Sequence, residues 1–115
     1  NVFIRKTLSG DGCTTDTTAD WSCGWYVVYN PTGSSTAAST DIPLQTFNRP
    51  NSTFVMLNKS TASLQFNSSG RHSLNLIQIK FTPEHNGDIN AIAIVCSSAA
   101  GRLLTLKGET DCPGS

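Results

Sequence analysis

His72 and His85 are the only histidines in the chain, and each has a charged neighbour, Arg71 and Glu84. A general base, a general acid and a guanidinium to steady a pentacovalent phosphorus are the parts that a phosphodiester-cleaving site needs. Their positions keep them apart. Residue 72 begins a strand and residue 85 falls in the turn at its far end, so at about 3.3 Å per residue they stand roughly 30 Å from each other. Both therefore read as exposed loop histidines. Asp11, Asp16 and Asp20 share one polar loop and could offer oxygens to calcium, but they lack the alternating ligands and central glycine of an EF-hand. A solvated loop beside a disulfide is expected there, and no metal ligand is assigned. Nucleophile elbow, P-loop, dinucleotide fingerprint, zinc-protease and catalytic-cysteine signatures are all missing. No catalytic residue and no cofactor follows, so the chain reads as a binding protein and not an enzyme.

Aromatic residues are the other candidates. Trp21, Trp25, Tyr26 and Tyr29 crowd into nine positions. Exposed on a sheet, such rings make rigid platforms for sugars or protein partners, because they join apolar area to a polar handle. Core packing is the competing reading. Trp25, Tyr26 and Tyr29 are the candidate binding residues, and alternation along the strand makes Tyr26 the one expected to face outward.

Three N-glycosylation sequons begin at Asn51, Asn58 and Asn67, while Asn30-Pro31-Thr32 is excluded by its proline. With nine asparagines among so many hydroxyl residues, chance supplies about two sequons, so position carries the weight. Taking 53–57 and 62–66 as the two arms of one hairpin puts Asn51 and Asn67 at one end and Asn58 at the tip. Glycans there would shield a sheet edge from other chains.

The elements that must hold these residues are strands. Residues 73–97 carry β-branched and aromatic runs on either side of Asn86-Gly87, the strongest short-range hairpin signal. Further strands are expected over 2–8, 21–30, 44–48, 53–57 and 62–66, with 102–107 closing a meander. Strand 21–30 is apolar on both faces, so it is central in its sheet or covered outside by a loop, partner or ligand. Residues 31–40 read as a flexible hydroxyl-rich loop. The run 74–81 changes phase between Leu76 and Ile77, which predicts a β-bulge there. About eight short strands without a helix predict an all-β antiparallel sandwich or small barrel, in one domain spanning 1–115.

Composition bounds the partners. Eight Lys and Arg balance eight Asp and Glu, so no long-range field draws in nucleic acid or an anionic membrane face. No apolar run approaches the length of about 18 residues that would span a bilayer, so no membrane insertion is expected. The chain starts at Asn1 without methionine, as a mature chain does after signal-peptide removal and as any shortened chain would. Cys13, Cys23, Cys96 and Cys112 form an even set without a Cys-X-X-Cys pair, which favours two structural disulfides in an oxidising compartment over a metal site. Three pairings are open. The nested one, 13 to 112 and 23 to 96, is slightly preferred, because Cys23 and Cys96 sit within strong strand patterns.

In size, paired cysteines and hydroxyl-rich β composition the chain resembles the small secreted proteins of fungi, a group that includes effectors, elicitors and immunomodulatory proteins. The apolar, aromatic second strand on a chain without a catalytic constellation leads to the expectation of a secreted, extracellular protein that binds a host or cell-surface protein, and the sequons to that of a glycoprotein. A lectin-like module that holds glycan through Tyr26 and the acidic loop is the second expectation, and a small secreted hydrolase such as a ribonuclease the third.

Overall fold

A computed structural model describes residues 2–10, 13–14, 17–67, 69, 71–72, 74, 76–84, 87, 89–98, 101–109 and 111–113. The strands are β1 (Val2–Lys6), β2 (Ser9–Gly10), β3 (Cys13–Thr14), β4 (Trp25–Tyr29), β5 (Ile42–Phe47), β6 (Thr53–Leu57), β7 (Ser63–Phe66), β8 (Leu76–Pro83), β9 (Ala93–Ser98) and β10 (Leu103–Lys107). Among the described residues the only helical element is a 3-10 turn, Ile89–Ala91. One four-stranded sheet has the order β5-β4-β1-β7 and a second β10-β9-β8-β6, and β2 and β3 pair with each other. Every pairing is antiparallel. The all-β class and the meander from β8 to β10 are as the alternation of side chains implies.

The two sheets close on one apolar layer. Trp21, Val55, Leu57, Leu64 and Ile77 are buried there, with Ile4, Trp25, Phe66, Leu74, Ile79 and Phe81 packed around them. In the first sheet Ile4 lies opposite Val27 on one side and Leu64 on the other, so Ile4 faces the core and Phe3 and Arg5 face away. In the second, Ile77, Ile79 and Phe81 face the core, and Leu76 and Gln78 take the opposite face. A second small cluster covers that outer face, built from Ile94, Cys96 and Cys112 against Leu76, Ile92 and Leu106.

Four expectations are corrected. Segments 53–57 and 62–66 do not form a hairpin: β6 pairs with β8 in the second sheet, and β7 with β1 in the first. Val55 and Leu57 face Leu64 across the core, so residues 58–62 must cross from one layer to the other. Asn58 fastens the crossing to β8, donating from Nδ2 to the Leu76 carbonyl and accepting from the Gln78 N–H at Oδ1. The sequons therefore do not bracket one hairpin.

The bulge expected between Leu76 and Ile77 is not there, since β8 runs in unbroken register with β9 from Leu76 to Phe81. Leu76 changes side because its outer face is also apolar, under the C-terminal tail. A register shift occurs instead between Val27 and Val28, opposite β5.

The second strand begins at Trp25 and not at residue 21. Gly24 has φ 98°, and a Cβ there would lie 2.5 Å from the Phe47 carbonyl oxygen, so the chain turns at a place only glycine tolerates. Cys23 is thus in a turn, with Gly24 N–H bonded to the Trp21 carbonyl.

The nested cysteine pairing fails for the same reason. The bridges are local, Cys13–Cys23 and Cys96–Cys112. Cys96 points from the outer face of the second sheet, where the returning tail meets it, and Cys112 N–H donates to Gln78 Oε1 at 2.8 Å.

Candidate binding faces of the first sheet

The outer face of the first sheet is covered by the segment after β4. Phe3, Arg5, Val28 and Asn30 are buried on or beside that face, so β1 is buried on both of its sides. Arg5, 1% exposed, is the reason. Its Nε donates to Asp41 Oδ2 at 3.0 Å and its Nη2 to Asp41 Oδ1 at 2.8 Å, a bidentate pair. Nη1 donates to Ser63 Oγ and Nη2 to the Ser34 carbonyl, both at 2.9 Å. The guanidinium carbon also lies 4.4 Å from the centre of the Phe3 ring.

Asn30 completes the network. Its Nδ2 donates to Asp41 Oδ1 and Thr40 Oγ1, and its Oδ1 accepts from the N–H and hydroxyl of Thr32. A buried charge is tolerated when it is paired and fully hydrogen-bonded, and here the bonds also pin residues 30–41 across the sheet. The stretch read as a flexible loop is a strap tied at both ends. This also explains β4, which is apolar on both faces because it lies between β5 and β1 and under that strap.

Hydrogen bonds from Arg5, then from Asn30, with a further one from the Ala38 N–H, hold the Asp41 carboxyl down to about 2. The folded carboxyl takes its proton less readily than the unfolded one, near 3.9. Its stabilisation is therefore whole above about pH 4 and is lost as pH falls toward about 2. The melting temperature is expected to fall through that window, and Asp41→Asn to flatten the fall while lowering stability at neutral pH. Thermal unfolding followed by circular dichroism across the acid range checks both.

Beside the strap lies a groove of about 570 Å³. Arg5, Tyr26 and Ser63 form its floor, since Arg5 is paired with Tyr26 on one side and Ser63 on the other. Ser35, Thr36 and Ala37 of the strap make one wall, and Ser60, Thr61 and Ala62 of the crossing make the other. Leu8, exposed, closes one end. Lys6 lines the groove, but its ammonium donates to the Thr17 carbonyl at 2.6 Å. Burial lowers its pKa, and the Asp20 carboxylate pulls it back up in part. A neighbouring cavity of about 320 Å³ shares Ser35, Ser60, Thr61 and Ser63 and reaches Lys59 and His72. Tyr26 is half-buried on the outer face, the side expected of it.

His72 is not the exposed loop residue its neighbours suggest. It is 6% exposed, forms a bridge to Phe66 and shares a 3.1 Å hydrogen bond between Nε2 and Ser97 Oγ, while Nδ1 is buried with no partner among the described residues. Its ring stands edge-on to Phe66, with centroids 5.8 Å apart. The burial follows from its place between the free side of β7 and β9, which a count along one hairpin does not register. His85 lies outside the described residues, as do Asp11 and Asp16. Asp20 Oδ1 accepts from the Ser22 N–H. Among the described residues, no three His, Cys, Asp or Glu side chains gather as metal ligands.

The core-facing side of the same sheet is open at β5. Tyr29 is opposite Ile42 and Trp25 is opposite Phe47, so all four share that side. Trp25 stacks on Phe47 and meets Phe81 edge-on. Beyond this contact the second sheet does not reach: Tyr29, Ile42, Leu44 and Phe47 are 41%, 49%, 57% and 41% exposed. All six residues of β5 are exposed, and none carries a charge. Of the three candidate aromatics, Trp25 thus belongs half to the core, Tyr26 to the groove and Tyr29 to this apolar face.

The side chains of Asn51, Asn58 and Asn67 are all exposed. Asn67 Oδ1 accepts from the N–H groups of Ser69 and Arg71. No described helix is long and apolar enough to cross a membrane. Two disulfides mark an oxidising, extracellular-type environment. No protein-family model, curated protein or solved structure matches this chain.

Proposed function

We propose that this is a secreted binding domain and that it acts by holding another protein against the open side of β4 and β5. The observation that supports this is the uncharged edge strand β5, whose Ile42 and Phe47 stand exposed on the side of Tyr29, with Leu44 exposed at the register shift between them. Large exposed apolar patches mark interaction sites, and because Pro43 and the register shift opposite Val27 and Val28 already blunt backbone pairing at this edge, the partner is held by side chains. The partner that fits is an apolar, weakly charged surface on a cell-surface or host protein, as for effector-type or immunomodulatory proteins. Glycans on Asn51 and Asn67 would be compatible with their exposed side chains, whereas the Asn58 amide is tied to β8 through both Nδ2 and Oδ1. A catalytic role has no comparable support, since Arg5 and Lys6 are committed to protein partners and the His72 Nε2 to Ser97.

Leu44→Asp places a charge in the middle of β5, at a side chain already open to solvent, and is expected to leave the fold intact. Saturable binding of fluorescently labelled protein to intact cells, taken from a panel of plant, animal and fungal lines and competed by unlabelled wild type, is expected to fall at least tenfold. Binding unchanged by Leu44→Asp would overturn the proposal. So would a stable dimer of the free protein that Leu44→Asp dissolves, because the face would then serve a second copy.

A further inference from the structure

We infer that the groove on the outer face of the first sheet is a second binding site, for a neutral oligosaccharide. It is separate from the β4 and β5 face, because Tyr26 and Tyr29 lie on opposite sides of the sheet.

The size suits a small ligand, since sites of this kind run from about 300 to 1,000 Å³ and the cavity is about 570 Å³. Its chemistry is specific. Tyr26, Ser35, Thr36 and Ser60 line it, and among the described residues their hydroxyls make no hydrogen bond to the protein. Ala37, Ala62 and Leu8 line it as well. Hydroxyls that donate and accept, set among small apolar patches and one aromatic ring, match a pyranose, whose rim is polar and whose faces are C–H.

Charge argues for neutrality. Both cations of the larger cavity are already used, Arg5 by Asp41, Ser34 and Ser63 and Lys6 by Thr17. An anionic ligand would find nothing free there to pair with, and Lys59 lines only the adjoining cavity. A peptide is less suited, because extended peptides add to sheet edges through backbone bonds, whereas this floor is the face of a sheet and presents side chains. The walls are preformed: Arg5 holds the Ser34 carbonyl, Ser34 Oγ donates to the Thr36 carbonyl, and Thr61 Oγ1 donates to the Ser63 carbonyl. Little ordering is then left for the ligand to induce.

The test is titration of the isotope-labelled protein with tetrasaccharides of β-linked glucose, N-acetylglucosamine and xylose and α-linked mannose, followed by amide NMR shifts. At least one is expected to bind saturably, with shifts concentrated at Tyr26, Thr36 and Ala62. Tyr26→Ala is expected to weaken it at least tenfold. Ala37→Trp, at an exposed wall position, is expected to abolish it without lowering the melting temperature, and Leu44→Asp to leave it unchanged. The inference is overturned if none of the four binds, if a tetrasaccharide of uronic acids or a peptide library binds in their place, or if Tyr26→Ala and Ala37→Trp both bind as wild type.

Discussion

Trp21→Ala is expected to destabilise the protein by about 4 kcal/mol, within the range of roughly 3–5 kcal/mol for removing a buried aromatic side chain. Trp21 sits in the turn before β4 and is 3% exposed at the centre of the main core cluster. Its ring touches both layers, and its Nε1–H is shared by the carbonyls of Thr18 and Thr61, each at 3.2 Å. Its backbone N–H donates to the Val55 carbonyl at 2.8 Å. Losing the ring would enlarge a cavity of about 90 Å³ that already lies among Ile4, Trp25, Val55, Leu64, Ile79 and Phe81, and two carbonyls would lose their donor. Trp21→Phe separates these effects, because it keeps most of the volume and loses the hydrogen bonds, for an expected loss of about 1–2 kcal/mol. Urea unfolding monitored by Trp25 fluorescence measures both. Equal losses in the two variants would show that the hydrogen bonds, and not the packing, dominate.

Removing both bridges is expected to have a larger effect still. The Cys13–Cys23 bridge closes 10 residues of separation and Cys96–Cys112 closes 16, worth about 3 kcal/mol each in the chain-entropy model. Both together, at about 6 kcal/mol, approach the whole stability of about 5–15 kcal/mol expected of a domain, so the reduced chain should be largely unfolded at 37 °C. The two are not equivalent in consequence. Cys96→Ala with Cys112→Ala frees the tail that covers Ile94, Leu76 and Leu106 and that reaches Gln78 through the Cys112 N–H. Cys13→Ala with Cys23→Ala frees only the segment before β4. The first double variant is therefore expected to melt about 10 °C or more below wild type and to lose amide protection on β9, with the second melting higher than the first. A melt in dithiothreitol equal to the oxidised one would contradict both expectations.

Arg5 shows most clearly why part of the molecule could not be read in advance. A cation inside an otherwise apolar strand invites the reading that its side of the strand is wet, and residues of this type are rarely buried unless paired. The partner here is Asp41, 36 positions away, and nothing local to either residue announces the other. His72 is similar, since its burial depends on Phe66 and on Ser97, 25 positions away. A local feature lies at Gly24, between Trp21 and the Trp25-Tyr26 pair, whose positive φ sets the start of β4 at Trp25. It places Cys23 in a turn, where the local bridge to Cys13 forms.

Side-chain alternation and turn chemistry act over a few residues, and so the chain by itself determined that it forms strands, where most of them run, that β8, β9 and β10 follow one another as a meander, and that its cysteines are oxidised. Alternation says which residues of a strand share a side, but not which sheet the strand joins, because either layer buries the same apolar side equally well. Only the tertiary structure decided that β6 and β7 part into different sheets, that the cysteines pair locally, that a strap held by Arg5 and Asp41 buries the outer face beside a hydroxyl-lined groove, and that β5 is left open. Each of these depends on compensation between groups far apart in sequence, where the free energy of a buried polar or apolar surface is set by what covers it.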